Sequence, residues 1–249
     1  MENLRIFFEQ NSIDFSSEKE LRFEKYMEGI LAANEHVNLT AITERNEFVR
    51  KHFLDSLLCA DSDEFINAQT IIDVGTGGGF PGVPLAIAFP EKNFVLMDSL
   101  AKRLKIIDEL TEQIGIGNVK TIHGRAEDLA KKNFTDNQGN PLRENFDICV
   151  SRAVANMSTL TELCLPFVKV GGCMIAYKGP DAEKEISESG KAIEILGGRL
   201  NRISRPAILI SEESDHEISE HRLVFIDKIV ETPERYPRKA GKPAKDPIR

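Results

Sequence analysis

Between Thr70 and Ile226 short apolar runs alternate with longer amphipathic ones, the mark of β-α units wound around a parallel sheet. Seven strands are expected, at Thr70–Val74, Asn93–Met97, Val119–His123, Phe146–Val150, Cys173–Tyr177, Arg199–Ile208 and His221–Ile226. Helices are expected near Val83–Phe89, Ala101–Ile114, Glu127–Lys131, Met157–Phe167 and Ala182–Leu196. Five β-α repeats precede two strands with no helix between them, so the last pair reads as a hairpin that brings one antiparallel strand into the sheet. The chain up to about Asp63 shows no strand alternation and reads as helical. Ser17 and Glu20 have capping-box spacing, and Leu21, Phe23, Met27, Ile30 and Leu31 then follow helical periodicity. A second helix is expected over Glu47–Ala60, with Val49, Phe53, Leu57 and Leu58 on one apolar face. The polar stretch 133–145, with Gly139 and Pro141, reads as an exposed loop, and the Pro- and Gly-rich segment after Lys228 as unable to sustain a helix or central strand. The pattern therefore divides into a helical segment (1–66), a doubly wound α/β domain (67–230) and a basic tail (231–249).

Composition removes whole classes of function. No apolar run approaches the roughly 18 residues that a membrane span requires, so no membrane partner is expected. The first eight residues, Met1 to Phe8, lack the basic segment and long apolar core of a secretory signal, and a cytoplasmic address is expected. Cys59, Cys149, Cys164 and Cys173 form no C-x-x-C pair and sit in apolar surroundings, as reduced core thiols do; no metal site is expected. Net charge is −8, yet residues 228–249 hold seven Lys/Arg against three Asp/Glu. A nucleic-acid partner would thus meet a local patch rather than the whole surface. Arg238, Lys239, Lys242, Lys245 and Arg249 read equally as phosphate contacts or as a solvated end.

Chemistry concentrates where the first expected strand ends. Asp73-Val-Gly75-Thr-Gly77-Gly-Gly79 places glycines directly after a buried strand, where the chain must turn sharply and let its backbone approach a ligand. A dinucleotide fingerprint needs a third glycine where this chain has Phe80, so a pyrophosphate cradle is disfavoured. The spacing resembles motif I of class I methyltransferases, whose turn faces the methionine part of S-adenosyl-L-methionine. Asp98, 25 residues after Asp73, ends the second expected strand, where a carboxylate accepts ribose hydroxyls; capping of the Ala101–Ile114 helix is the competing role, for which Ser99 is a second candidate. Beyond the third strand, Gly124-Arg-Ala126-Glu127-Asp128 supplies a turn and carboxylates at the expected adenine position.

Asn38-Leu-Thr40, Lys51-His-Phe-Leu-Asp-Ser56, the run Asp73 to Pro84, Asp98-Ser-Leu-Ala-Lys-Arg103, Ser151-Arg-Ala153, Tyr177-Lys-Gly179 and His221 to Ile226 together resemble the RsmG (GidB) family of bacterial 16S rRNA guanine-N7 methyltransferases, over most of the chain. The resemblance implies a class I methyltransferase core with a helical N-terminal part. It further implies 7-methylguanosine formation in the helix-18 loop of 16S rRNA, with the small ribosomal subunit as partner, no DNA, and a monomeric enzyme. Carried over by motif, the cofactor contacts are Gly75, Phe80, Ala126, Glu127 and Arg152, joined by Asp73, Gly77 and Asp98 from the reading above. Guanine N7 carries an unprotonated lone pair, so no general base is expected, only groups that hold the acceptor in line. Arg152 and Lys178, each just past a strand's carboxyl end, are the acceptor-side candidates, with Asn38 and His52 behind them. Two other readings stay open: a NAD- or FAD-linked oxidoreductase using the same turn, and a non-catalytic RNA binder in ribosome assembly.

Overall fold

A computed structural model describes residues 1–152, 155–208, 217–218 and 221–249. The helical part comprises α1 (Glu2–Gln10), α2 (Ser17–Asn34), α3 (Arg45–Phe48), a π-helical stretch (Val49–Leu54), α4 (Asp55–Leu57) and α5 (Asp63–Asn67). The α/β part follows as β1 (Thr70–Val74), α6 (Gly82–Ala88), β2 (Asn93–Asp98), α7 (Ala101–Gln113), β3 (Val119–His123), α8 (Ala126–Leu129), β4 (Phe146–Arg152), α9 (Met157–Cys164), a 3₁₀ turn (Leu165–Phe167), β5 (Val168–Lys178), α10 (Ala182–Ile195), β6 (Gly198–Ser204), β7 (Ala207–Ile208), β8 (Glu217–Ile218), β9 (Arg222–Lys228) and α11 (Lys242–Lys245).

Seven strands form one sheet in the order β3-β2-β1-β4-β5-β9-β6, in which β9 alone runs opposite to the other six. β1 is buried from Ile71 to Val74, as a strand covered on both faces must be. One core lies between the sheet and α1, α2, the π stretch, α6 and α7; the second lies on the opposite face beneath α8, α9 and α10. Chain order reverses between β1 and β4, so their carboxyl ends open a crevice at Gly75 and Arg152. This is the doubly wound architecture of class I methyltransferases.

Three local expectations change. The cap of α2 is Ser16, whose Oγ accepts from Lys19 N at 3.3 Å. Glu20 turns away to Arg5 of α1 at 2.7 Å, so the capping box at Ser17 does not form. The helix expected over Glu47–Ala60 starts earlier, on the Glu44 carboxylate, and widens into the π stretch that carries Lys51 and His52. The strand expected over Arg199–Ile208 breaks at Arg205-Pro206, because proline has no N–H for the ladder; its last two residues pair instead with β8. Ala153 of the Ser151–Ala153 motif lies outside the described residues.

The largest departure is the C-terminal segment. It contains α11 and is docked on α9: the guanidinium of Arg238 meets the fully buried Glu162 carboxylate at 2.6 Å, and Thr159 Oγ1 donates to Pro243 O at 3.0 Å. Tyr236 and Ile248 pack on the second core. Neither side of the phosphate-contact-or-solvated-end alternative anticipated this docking. Removing one partner of a buried pair leaves an uncompensated charge. Arg238→Met is therefore expected to lower unfolding free energy by about 3 kcal/mol, measured by urea denaturation at neutral pH; a loss near zero would show that Glu162 finds other donors.

Candidate functional site

Gly75, Gly77 and Gly79 have φ of 75°, 60° and 84°, so the alternating glycines mark the positions where the chain takes left-handed conformations that other residues resist. The turn is fastened from below. Gly75 N and Thr76 N donate to Met97 O at 2.9 and 3.0 Å, which ties the end of β1 to β2. Asp73 Oδ2 accepts from Thr76 Oγ1 at 2.7 Å and from Gly82 N at 2.9 Å, clamping the turn to the first residue of α6. Burial holds the Asp73 carboxyl up to about 6, and its Oδ1 is buried with no hydrogen-bond partner among the described residues. Asp98 Oδ2 accepts from Gly77 N at 3.0 Å and Oδ1 from Leu100 N at 2.9 Å. Its carboxylate thus faces the glycine turn, and α7 has Leu100 at its N-cap with no side-chain cap from Asp98 or Ser99.

The helical segment closes the other side. Tyr26 of α2, fully buried, donates its hydroxyl proton to Gly78 O at 2.9 Å, and a Cβ at Gly79 would strike that hydroxyl. Phe80 lies in an aromatic cage: the His52 ring is stacked on it at 4.4 Å and 9°, Tyr26 and Phe48 meet it edge-on at 6.1 and 5.7 Å, and the Arg152 guanidinium sits 5.4 Å from its centre. Arg152 donates to Lys51 O at 2.9 Å and lies 3.1 Å from His52 Nδ1. A guanidinium can only donate, so Nδ1 accepts and the neutral ring carries its proton on Nε2, 2.6 Å from Thr40 Oγ1. Burial first, and the Arg152 charge second, hold His52 down to about 3, with Asp55 acting the other way. His52 is therefore a fixed neutral relay between two loops rather than a proton shuttle.

These groups surround a cavity of about 370 Å³ at the switch point, lined by Gly75, Gly77, Phe80, Asp98 and Arg152 together with Leu39, His52, Ser99 and Arg103. Asp73 lies beneath it. Ala126 and Glu127 stand outside the lining, further along the same rim: Gly124 N donates to Asp98 O at 3.1 Å, and Glu127 Oε1 accepts from Gly241 N at 2.8 Å. Lys178 is not brought to this cavity; its ammonium holds Ala155 O at 2.7 Å and Glu185 Oε2 at 2.8 Å. Asn38 contributes its carbonyl, 3.5 Å from Arg103 Nη2. Sequence reasoning missed Tyr26, which looks like any core aromatic. It also missed Asn34, whose side-chain carbonyl accepts from Leu39 N and Thr40 N and so shapes the loop at the cavity mouth.

The sequence profile of a family described as rRNA small subunit methyltransferase G (GidB) matches residues 19–207. A curated ribosomal RNA small subunit methyltransferase G from Clostridium tetani is 47% identical over 95% of this chain and 94% of its own length. One of the same name from Clostridium novyi is 46% identical over 98% and 96%. The chain belongs to this family. Solved structures give the fold at lower identity: an O-methyltransferase from Bacillus cereus in complex with SAH (18% identical, 82% of this chain and 90% of that one, TM-score 0.51) and M. jannaschii TYW2 in complex with AdoMet (16%, 76% and 80%, TM-score 0.51). Methyltransferase family membership leaves the oxidoreductase reading and the non-catalytic reading without support.

The His52 relay has a pH signature. Its folded pKa lies below the ordinary 6.5, so as pH falls through 6.5 the unfolded chain binds a proton that the folded protein refuses until about 3, and stability declines. Asp73, raised to about 6 from 3.8, acts oppositely, losing its contribution as pH rises through that window. Asp73 is common to the wild type and a His52→Gln variant and cancels between them. The stability deficit of His52→Gln is expected to shrink by about 2 kcal/mol between pH 7 and pH 5, read by urea unfolding at both pH values. A constant deficit would show that His52 is not held neutral.

Proposed function

We propose that this chain transfers a methyl group from S-adenosyl-L-methionine to N7 of a guanine in the helix-18 loop of 16S rRNA. The observation that carries the reading is the convergence, at the β1/β4 switch point, of the left-handed glycine turn, Asp98 and Arg152 around one cavity. Family membership supplies the class of acceptor.

The residues present fit the cofactor. Gly77 has open space where a side chain would stand, so the turn can be approached closely, and the unpartnered Asp73 Oδ1 is a buried acceptor beneath it. Gly75 and Gly77 would face the methionine part, with Phe80 and Arg152 beside it. Asp98 would accept the ribose hydroxyls on its remaining lone pairs, and Ala126 and Glu127 would border the adenine. The cofactor supplies an electrophilic methyl on a sulfonium.

The protein's part is positioning. Guanine N7 needs no deprotonation at neutral pH, and His52, with Nδ1 facing Arg152 and Nε2 facing Thr40, offers no free base. Arg152 uses two of its five N–H groups on Lys51 and His52, which fixes the guanidinium plane and leaves donors for a partner other than N7, such as guanine O6. Lys178 has the weaker case as an acceptor contact, because Glu185 and Ala155 already hold it.

Labelled methyl from the cofactor, offered to 30S particles and to naked 16S rRNA, is expected at a single guanine, as 7-methylguanosine; label on another base or on protein would refute the proposal. Arg152→Ala is expected to slow single-turnover transfer at saturating cofactor by about tenfold or more, the equivalent of one charge-assisted hydrogen bond. Lys178→Ala should leave cofactor affinity unchanged by calorimetry. Unimpaired transfer by Arg152→Ala would remove Arg152 from acceptor positioning.

A further inference from the structure

Between Arg235 and Arg249 the chain carries six Lys/Arg and one carboxylate side chain, in a protein whose net charge is −8. The carboxylates that anchor this segment lie beneath it. Buried Glu162 accepts from Arg238 N, Nε and Nη2 at 2.8, 2.9 and 2.6 Å, and Glu127 accepts from Gly241 N at 2.8 Å. The segment's apolar groups also turn inward, with Pro237 and Pro243 buried and Tyr236 and Ile248 on the second core. What remains outside is polar and mostly cationic: Arg235, Lys239, Lys242, Lys245 and Arg249 are all exposed, and the one outward carboxylate, Asp246, lies 3.3 Å from Lys242 and 3.6 Å from Arg238.

The position of this face is set by the Glu127–Gly241 contact. Glu127 stands in the first turn of α8, just past β3, and the next residues back lead through exposed Arg125 to Gly124, which is bonded to Asp98 at the cavity. The docked segment is thereby tied through α8 to the rim of the cavity, with exposed Arg125 between them and the exposed Asp128 paired with Lys131. With its apolar side chains turned inward it offers nothing to insert into a lipid layer, whereas fixed, exposed cations spaced along a rigid support suit a polyanionic backbone.

We infer that the docked C-terminal segment is a phosphate-binding ridge for the RNA substrate, held in register with the methyl-donor cavity by Glu127 and Gly241. This rests on the rRNA methyltransferase reading for the identity of the polyanion. The ridge positions the RNA and carries no base specificity.

The test uses the full-length triple variant Lys239→Gln/Lys245→Gln/Arg249→Gln, which leaves the anchors Arg238, Gly241 and Glu127 in place. Binding of a 16S rRNA fragment containing the helix-18 loop is measured against salt concentration, alongside calorimetric titration of S-adenosylmethionine and thermal melting. Melting and cofactor affinity are expected to be unchanged. RNA binding is expected to weaken, with a log–log salt slope shallower by roughly 0.7 to 0.9 for each cation that meets a phosphate. The variant Lys25→Gln/Lys191→Gln, which removes charge from α2 and α10, is expected to keep the wild-type slope. An unchanged slope in the triple variant, or an equal change per charge in the control, overturns the inference. Absence of methyl transfer by the wild-type protein would instead overturn the catalytic reading, which the salt comparison does not depend on.

Discussion

The carbonyl of Gly78 points into the protein and takes the hydroxyl proton of Tyr26 at 2.9 Å, deep between the sheet and the second helix. A buried carbonyl without a donor is costly, so the glycine turn and the helical segment are stable only together. The remaining geometry depends on this contact. With Gly78 fixed, Phe80 lies edge-on to Tyr26 and against His52; with Phe80 and His52 fixed, Arg152 has one acceptor at Lys51 O and another at His52 Nδ1. The N-terminal helices are thus part of the wall of the cavity, and the cavity joins residues more than a hundred positions apart in the chain, such as Lys51 and Arg152.

Two buried ionisable groups in this wall are pushed from their ordinary values in opposite directions, Asp73 up to about 6 and His52 down to about 3. Asp73 is desolvated under the turn and is partly compensated by Thr76 and Gly82, while His52 is desolvated and also repelled by a neighbouring guanidinium. The result is a site lined by two guanidinium groups, Arg152 and Arg103, and by the buried carboxylate of Asp98, 3.6 Å from Arg103. Such an arrangement suits transfer of a methyl cation equivalent to a neutral nucleophile, where orientation rather than proton transfer limits the rate. The opposite end of the same rim, at Glu127, is where the basic C-terminal segment is latched.

The parallel core was legible in the sequence because a strand buried on both faces, such as β1, leaves a continuous apolar run; β1 matches its expected bounds, the half-exposed edge strand β3 matches on its alternating pattern, and the left-handed residues fall on the glycines of the motif. Asp98 was ambiguous because a carboxylate after a strand can cap a helix or face a ligand, and only the Gly77 contact separates the two. The π stretch was hidden because its apolar residues satisfy an ordinary helical stripe equally well; the extra residue per turn is a backbone property that pattern does not carry. The docked tail was invisible for a different reason. Its Pro and Gly content reads as solvated chain, and the groups that hold it, Glu162, Glu127 and Arg143, the last donating to Tyr236 O at 2.8 Å, come from distant positions whose pairing no local signal announces.

The helical segment shapes the cofactor cavity through Tyr26, a residue that does not line it. Calorimetric titration of S-adenosyl-L-methionine into the Tyr26→Phe protein, beside the wild type at equal pH and salt, tests this most directly, since the substitution removes one oxygen and keeps the ring. A several-fold loss of affinity in a protein that still melts cooperatively is the predicted result. Wild-type affinity in Tyr26→Phe would contradict it, and would make the helical segment a cover for the sheet rather than a part of the site.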